Sequence, residues 1–129
     1  KGIFFCLEPL SVKETDFITS LEEGGEMVEM VNHSNFKLHL DTKVLFGSNG
    51  KISQKIKKYK EIINHVHIGD ENLLEPGTVN KTEQLEIGKV LKDIDYKGYA
   101  TLEMRRDLSD IEGSIKRGVE FIKKNYLEA

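Results

Sequence analysis

The sequence predicts an α/β fold with a parallel sheet, built from four successive pairs of one strand and one helix. Four short runs are rich in apolar or β-branched residues, as buried parallel strands are. Each run is followed by a stretch in which apolar residues recur at helical spacing. This alternation is typical of an open doubly wound sheet or of part of a (β/α) barrel, and in both the functional groups lie at the carboxyl ends of the strands.

The four strands are predicted at residues 3–8, 37–41, 64–69 and 98–103, and each carries a polar residue at or near its carboxyl end. Side chains alternate across a strand, so the residues of each face can be read in steps of two. One face is uniformly apolar and is expected to pack on the helices. The other face is mixed and is expected to line an interior that opens toward a site; its members are Cys6, Glu8, His39, Asp41, His65, His67, Thr101 and Glu103.

The helix starts are also visible in the sequence. Ser20 with Glu23, and Ser109 with Glu112, both fit the capping box, in which two side chains satisfy free backbone N–H groups. The two middle helices are predicted at 52–59 and 82–91. Residues 70–81, between the third strand and the third helix, are predicted to form a long loop of the kind that often closes over ligands. The last helix carries apolar residues on one face, namely Ile111, Ile115, Val119 and Ile122.

Composition limits the class of protein. The chain has 129 residues, which predicts a single domain over 1–129, and 38% of them are hydrophobic, with no apolar run near the ~20 residues of a membrane span. The formal charge of −3 argues against a nucleic-acid partner. Cys6 is the only cysteine, which favours a reducing, cytoplasmic setting. The sequence opens on an apolar stretch with no initiator Met and no signal peptide, which we interpret as a fragment of a longer protein.

The polar strand ends predict a metal site. Three carboxylates and one imidazole would meet at the same edge of the sheet, and such carboxylates repel one another unless a cation neutralises them. Carboxylate oxygens with a single imidazole favour Mn²⁺ or Mg²⁺, with Co²⁺ as a third candidate, over the thiolate-rich sites that select structural zinc. The predicted ligands are Glu8, Asp41, His67 and Glu103.

The same segments resemble the xylose isomerase-like TIM barrels, a family of sugar-phosphate isomerases, ketose 3-epimerases and hydroxypyruvate isomerases. The match covers nearly the whole chain, and four motifs follow in the family's order. Segments 7–10 and 14–18 resemble the fifth strand and its loop, 38–42 the sixth strand, 65–70 with Pro76-Gly77 the seventh, and 101–104 the eighth. The resemblance therefore implies four parallel βα units that correspond to the second half of a TIM (β/α)8 barrel.

The resemblance also implies a reaction. Family members hold one divalent metal with a Glu, an Asp, a His and a Glu, which fall on Glu8, Asp41, His67 and Glu103. The two glutamates act as an acid/base pair that moves a proton through an enediolate, which the metal stabilises. For this chain the expected function is that of a sugar or sugar-phosphate isomerase or epimerase, with Glu8 and Glu103 as catalytic residues.

Substrate binding is expected to differ from the family pattern. A His expected three residues after Asp41 is Val44, and an Arg expected six residues after His67 is Leu73. Lys43 is a candidate substitute cation in the pocket, set against the interpretation of a solvated lysine. Arg105, with its neighbour Arg106, is a candidate for gripping a phosphate or carboxylate of the substrate. His65 is interpreted as a hydrogen-bonded core residue, and His33 and His39 are placed outside the site.

A TIM barrel needs eight βα units and roughly 250 residues, whereas this chain has four. An isolated half would expose strand edges, so the expected partner is a second copy of the chain or the missing amino-terminal half of the barrel, in addition to a carbohydrate substrate. Two alternatives to the isomerase remain open at this point. One is a metal-dependent hydrolase of the endonuclease IV type, which needs several metals and more histidine ligands; the other is a non-catalytic half-barrel.

Overall fold

The computed structural model describes residues 2–128 and follows the predicted order, in which a helix comes after every strand. The strands are β1 (Phe5–Leu7), β2 (Phe36–Asp41), β3 (Ile63–Ile68) and β4 (Tyr99–Leu102). The helices are α1 (Leu21–Val31), α2 (Ile52–Lys58), α3 (Lys81–Asp93) and α4 (Ile111–Ile122). Three short helical turns lie at Thr42–Leu45, Glu71–Leu73 and Lys123–Leu127, the last of which continues α4 as a π-helical turn.

The four strands form one parallel sheet in the order β1-β2-β3-β4. Asp41 is in register with His67, and His67 with Thr101, so the carboxyl ends of the strands lie side by side. A doubly wound sheet reverses its strand order at a switch point, whereas a barrel adds each new strand next to the previous one. The sequential order within the described residues is therefore that of a barrel segment.

The two outer strands are shorter than predicted. β1 covers Phe5–Leu7 where 3–8 was expected, and β4 covers Tyr99–Leu102 where 98–103 was expected. Each outer strand has one hydrogen-bonded neighbour in the described part of the chain, so its ends lose the ladder that would keep them extended. The inner strands have neighbours on both sides and differ from the prediction by at most one residue at each end.

One of the two predicted capping boxes is confirmed in position and the other is wrong. Ser20 caps α1, because its side chain accepts a hydrogen bond from the Glu23 N–H at 3.2 Å. At α4 the cap is Asp110, one residue after the predicted Ser109, and its carboxylate accepts a hydrogen bond from the Gly113 N–H at 3.0 Å. Aspartate accepts as well as serine does at this position, and the helix begins one residue later as a result.

The core lies between the apolar face of the sheet and the helices, as predicted. Leu38, Leu40, Val66 and Ile68 on the two inner strands are fully buried. The buried residues of α4 are the small Ser114 and Gly118, together with Ile122. The apolar residues Ile111, Ile115 and Val119 are 41%, 47% and 37% exposed. A methyl group added at Gly118 would lie 2.9 Å from Leu102, so the helix approaches β4 through this glycine.

Among residues 2–128 no helix combines the length and apolar character needed to cross a bilayer.

Candidate metal centre

The four predicted ligands meet at the carboxyl edge of the sheet. Each contributes one nitrogen or oxygen atom, and these atoms all lie within 4.8 Å of one another. His67 Nδ1 is 3.5 Å from Glu8 Oε1 and 3.7 Å from Glu103 Oε2, so the imidazole lies between the glutamates of the two outer strand ends. The register described above is the cause, since β2, β3 and β4 end at the same level and β1 leads directly into Glu8.

Buried polar atoms without a hydrogen-bond partner are concentrated at these strand ends. In the part of the chain that the structure describes, the buried side-chain atoms without a hydrogen-bond partner are His39 Nε2, Asp41 Oδ2, His67 Nδ1 and Glu103 Oε2. All four lie at the cluster, although buried polar groups are normally paired. Three of them belong to the predicted ligand set, and oxygen and imidazole donors of this kind suit a divalent cation. The residues present therefore fit a metal ion.

Lys43 lies inside the cluster, and the interpretation of a solvated lysine was wrong. Its side chain is 11% exposed, and its ammonium nitrogen is 3.2 Å from Asp41 Oδ2 and 3.4 Å from Glu103 Oε2. A third carboxylate, that of Glu14, lies 3.6 Å away. The helical turn Thr42–Leu45, which starts immediately after Asp41, directs the lysine back toward the strand ends. Lys43 thus supplies the positive charge nearest to two of the predicted ligands.

The proton affinities reflect this crowding. Burial, and then the nearby charges of Asp41 and Glu103, raise the pKa of Glu8 to about 7. Burial also raises the pKa of Asp41. Burial alone would lower the pKa of Lys43, but Asp41 and Glu103 outweigh it and the pKa is raised, so the lysine remains charged. Near neutral pH Glu8 can therefore either accept or release a proton, as an acid/base residue must.

His39 belongs beside this cluster, and placing it outside the site was wrong. It is 6% exposed, and its Nε2 lies 3.7 Å from Glu8 Oε1. Burial, and then the neighbouring His67 and His65, lower the pKa of His39 to about 3, so its imidazole is neutral. His65 lies 3.3 Å from the Thr101 hydroxyl, so the predicted hydrogen-bond partner is present, but the residue is only half-buried and not in the core. Sequence reasoning could have found His39, because it shares a strand face with Asp41.

The candidate substrate residues lie beside the cluster. A cleft of about 680 Å³ is lined by Lys43, Glu14, Leu73 and Arg105 among others. The Arg105 guanidinium is held by Asp107 in a two-point pair, with Nε to Oδ1 at 2.5 Å and Nη2 to Oδ2 at 2.7 Å. Arg105 therefore borders the cleft but is already paired with an acid.

Residues that sequence reasoning missed hold the strand ends in place. Asp70 is fully buried, and its carboxylate accepts hydrogen bonds from the backbone N–H groups of Glu71, Gly77, Val79 and Asn80 and from the Asn80 side chain. Next to it, the Gly69 carbonyl accepts hydrogen bonds from Thr42 Oγ1 and Gln84 Nε2, both at 2.7 Å. The signal was present, since an aspartate at a strand end that precedes a Pro-Gly loop is typical of a loop-organising residue.

The family model described as xylose isomerase-like TIM barrel matches residues 1–125. D-psicose 3-epimerase of Ruminiclostridium cellulolyticum is 34% identical over 102 residues, which cover 79% of this chain and 34% of the relative. L-ribulose 3-epimerase of Methylomonas sp. strain DH-1 is 27% identical over 98% of this chain and 50% of the relative.

A solved structure of D-psicose 3-epimerase in the presence of D-fructose superimposes on the chain with a TM-score of 0.83 at 26% identity, over 97% of this chain and 50% of the other. This chain spans between a third and a half of the length of these relatives. The predicted fold class, four parallel βα units similar to half of a TIM barrel, is confirmed. The chain belongs to the xylose isomerase-like TIM barrel family.

Proposed function

We propose that this chain carries the metal-binding and acid/base half of a sugar epimerase or isomerase active site that acts on a ketose. The observation that carries the proposal is the meeting of Glu8, Asp41, His67 and Glu103 within 4.8 Å. In three of these residues, a buried nitrogen or oxygen has no hydrogen-bond partner among the described residues. Support comes from relatives that are a D-psicose 3-epimerase and an L-ribulose 3-epimerase.

Glu8 and Glu103 are proposed as the proton-transfer pair. They extend from the two outer strands, with His67 between them, so a small sugar placed over the cluster would have one carboxylate on either side. One carboxylate would exchange a proton at one face of the reacting carbon, and the other carboxylate would do so at the opposite face. A divalent cation held by the four residues would supply Lewis-acid stabilisation of the negative charge that develops on the sugar oxygens.

Lys43 is proposed to balance the cluster when no cation is bound, and Arg105 to bind a charged group of the substrate from the cleft. The cleft that both residues line supports this assignment. Val44 is buried in the core and Leu73 borders the cleft, so neither offers the hydrogen bonds of the residues expected at these positions. The preferred ketose is therefore expected to differ from that of relatives that have the usual His and Arg.

The whole barrel, in which 1–129 forms one half as a single structural unit, is proposed to be a cytoplasmic enzyme with one bound Mn²⁺ or Mg²⁺. A hydrolase of the endonuclease IV type is the second candidate, because His39 and His65 add imidazoles beside the carboxylates. The net charge of −3 disfavours it, since a nucleic-acid backbone would be repelled.

The test is isothermal titration of metal-stripped protein with Mn²⁺. We expect one ion per chain, and we expect Glu103→Gln to weaken binding by about tenfold or more, because it removes a charged ligand. Glu120→Gln, at an exposed position of α4, is the matched control and should bind as the parent does. Absence of Mn²⁺ binding in the parent protein would show that the four side chains do not form a working site.

A further inference from the structure

His39 has no role in the proposed reaction, yet its environment is that of a ligand. Its ring is 6% exposed and meets the His67 ring edge to face, with the centroids 4.1 Å apart. Its Nε2 atom is buried and has no hydrogen-bond partner among the described residues. Buried polar atoms are normally paired, so an unpaired buried imidazole nitrogen indicates a missing partner.

The atom in front of that nitrogen is Glu8 Oε1, at 3.7 Å, and the same oxygen is 3.5 Å from His67 Nδ1. These separations are too long for hydrogen bonds. They are close to the spacing of donors around one small cation, since ligands about 2.0–2.1 Å from a tetrahedral zinc ion lie about 3.4 Å from each other. The Glu8 oxygen is thus spaced from each of the two imidazole nitrogens as two ligands of one ion are.

Lys43 is paired with the other two carboxylates of the cluster. Its ammonium lies 3.2 Å from Asp41 Oδ2 and 3.4 Å from Glu103 Oε2, whereas the ion pairs of Glu8 are with the two imidazoles. An ion bound through Glu8, His39 and His67 would therefore leave the lysine pairs in place. An ion bound through the four strand-end residues would compete with the lysine for Asp41 and Glu103.

We propose that Glu8, His39 and His67 form a second cation position, selective for a borderline ion of the zinc class. Two imidazoles favour such ions, whereas a set of three carboxylates and one imidazole suits Mn²⁺ or Mg²⁺. The two imidazoles and the carboxylate supply three ligands, which leaves the fourth position of a tetrahedral ion open. Because Glu8 and His67 belong to both positions, one ion is bound at a time, and His39 decides how strongly zinc competes.

The experiment titrates metal-stripped protein separately with Zn²⁺ and with Mn²⁺. In His39→Leu and in His39→Gln, Zn²⁺ affinity should fall by about tenfold or more while Mn²⁺ affinity changes by less than about threefold. Glu103→Gln should lower Mn²⁺ affinity by about tenfold or more and change Zn²⁺ affinity by less than about threefold. His65→Gln is the matched control, since His65 lies on the same face but next to the Thr101 hydroxyl, and its ratio of Zn²⁺ to Mn²⁺ affinity should equal that of the parent. Co²⁺ gives an optical reading, because its visible absorption is strong in a four-coordinate, nitrogen-containing site and should weaken when His39 is replaced.

An unchanged ratio of Zn²⁺ to Mn²⁺ affinity in both His39 variants would overturn the proposal, as would an equal loss of Zn²⁺ affinity in His65→Gln. Circular dichroism and thermal unfolding of each stripped variant establish that it is folded. The proposed function fails separately, because it rests on Mn²⁺ binding that depends on Glu103 and not on His39.

Discussion

At the scale of single residues, charge balance governs the strand-end cluster. The carboxylates of Asp41, Glu103 and Glu14 lie 3.2, 3.4 and 3.6 Å from the Lys43 ammonium. The pKa of Glu8 rises to about 7 because burial and two negative neighbours disfavour its charged form. A cation at this point would therefore relieve the repulsion among these carboxylates.

Replacing Lys43 tests how that balance works. In Lys43→Met the ammonium no longer occupies the space between Asp41 and Glu103, so we expect Mn²⁺ affinity to rise, on the order of tenfold, because repulsion between the two cations is removed. Isothermal titration measures this, with Lys116→Met on the exposed side of α4 as control. A fall in Mn²⁺ affinity would mean that the lysine supports the site and does not compete with the ion.

At the scale of elements, the loop over residues 70–81 is held by a single buried carboxylate. Asp70 accepts hydrogen bonds from four backbone N–H groups and one side-chain amide, which together close the loop against the start of α3. The neighbouring Gly69 carbonyl is fixed by Gln84, whose own amide oxygen accepts a hydrogen bond from the Tyr126 hydroxyl. The end of β3, and with it His67, thus depends on a polar network behind the sheet.

Asp70→Ala should destabilise the protein by about 3 kcal/mol, because several buried N–H groups lose their acceptor at once. Chemical denaturation at neutral pH measures the free energy of unfolding. Asp93→Ala, at an exposed residue that pairs with Lys89, is the control and should change the free energy of unfolding far less. Equal effects of the two changes would show that the loop is held by other contacts.

A second contact joins the same loop to α4 and makes stability depend on pH. Glu75 accepts hydrogen bonds from Arg117 and from the Ser114 hydroxyl, and these lower its pKa from 4.5 to about 2. A carboxyl whose folded pKa is depressed stabilises the fold above its unfolded value, and this contribution is lost as pH falls from about 4.5 toward 2.

Glu75→Gln should therefore lower the free energy of unfolding by about 1 kcal/mol at pH 7, a modest value because Arg117 is half exposed. The difference from the parent should shrink as pH falls from 4.5 to 2. Urea denaturation across this range measures it, and Glu120→Gln serves as the control. A difference that stays constant with pH would mean that Glu75 acts through packing and not through its charge.

At the scale of the whole molecule, the described residues form an open sheet whose outer strands β1 and β4 each have one neighbour. Large apolar side chains are exposed on these strands, just before β1 and on α4, among them Ile3, Phe5, Tyr99 and Ile115. Unpaired strand edges and apolar surface of this extent favour association. The chain covers half or less of the relatives described above, so the missing half of a barrel, or a second copy, would cover the same surface.

The isolated chain should therefore associate. Light scattering coupled to size exclusion is expected to give at least twice the chain mass of 14.7 kDa. Phe5→Lys, at an edge position that is 66% exposed, should lower that mass, because a charged edge residue opposes strand pairing. Lys13→Glu, on an exposed loop residue, provides the comparison. A stable species of 14.7 kDa at about 100 µM for the parent would contradict this expectation.

The alternation of strands and helices, the inner strand bounds and the four candidate ligands were all predictable from the sequence, because periodicity and strand-end chemistry are local features. The resemblance to a TIM barrel likewise rests on four short sequence motifs that occur in the family's order. Only the tertiary structure shows which side chains from different elements lie close together. It placed Lys43 among the carboxylates, brought His39 to Glu8, moved the cap of α4 to Asp110 and left the apolar face of that helix exposed. Residues far apart in sequence meet only when the strands pair, and which atoms remain unpartnered there is a property of packing alone.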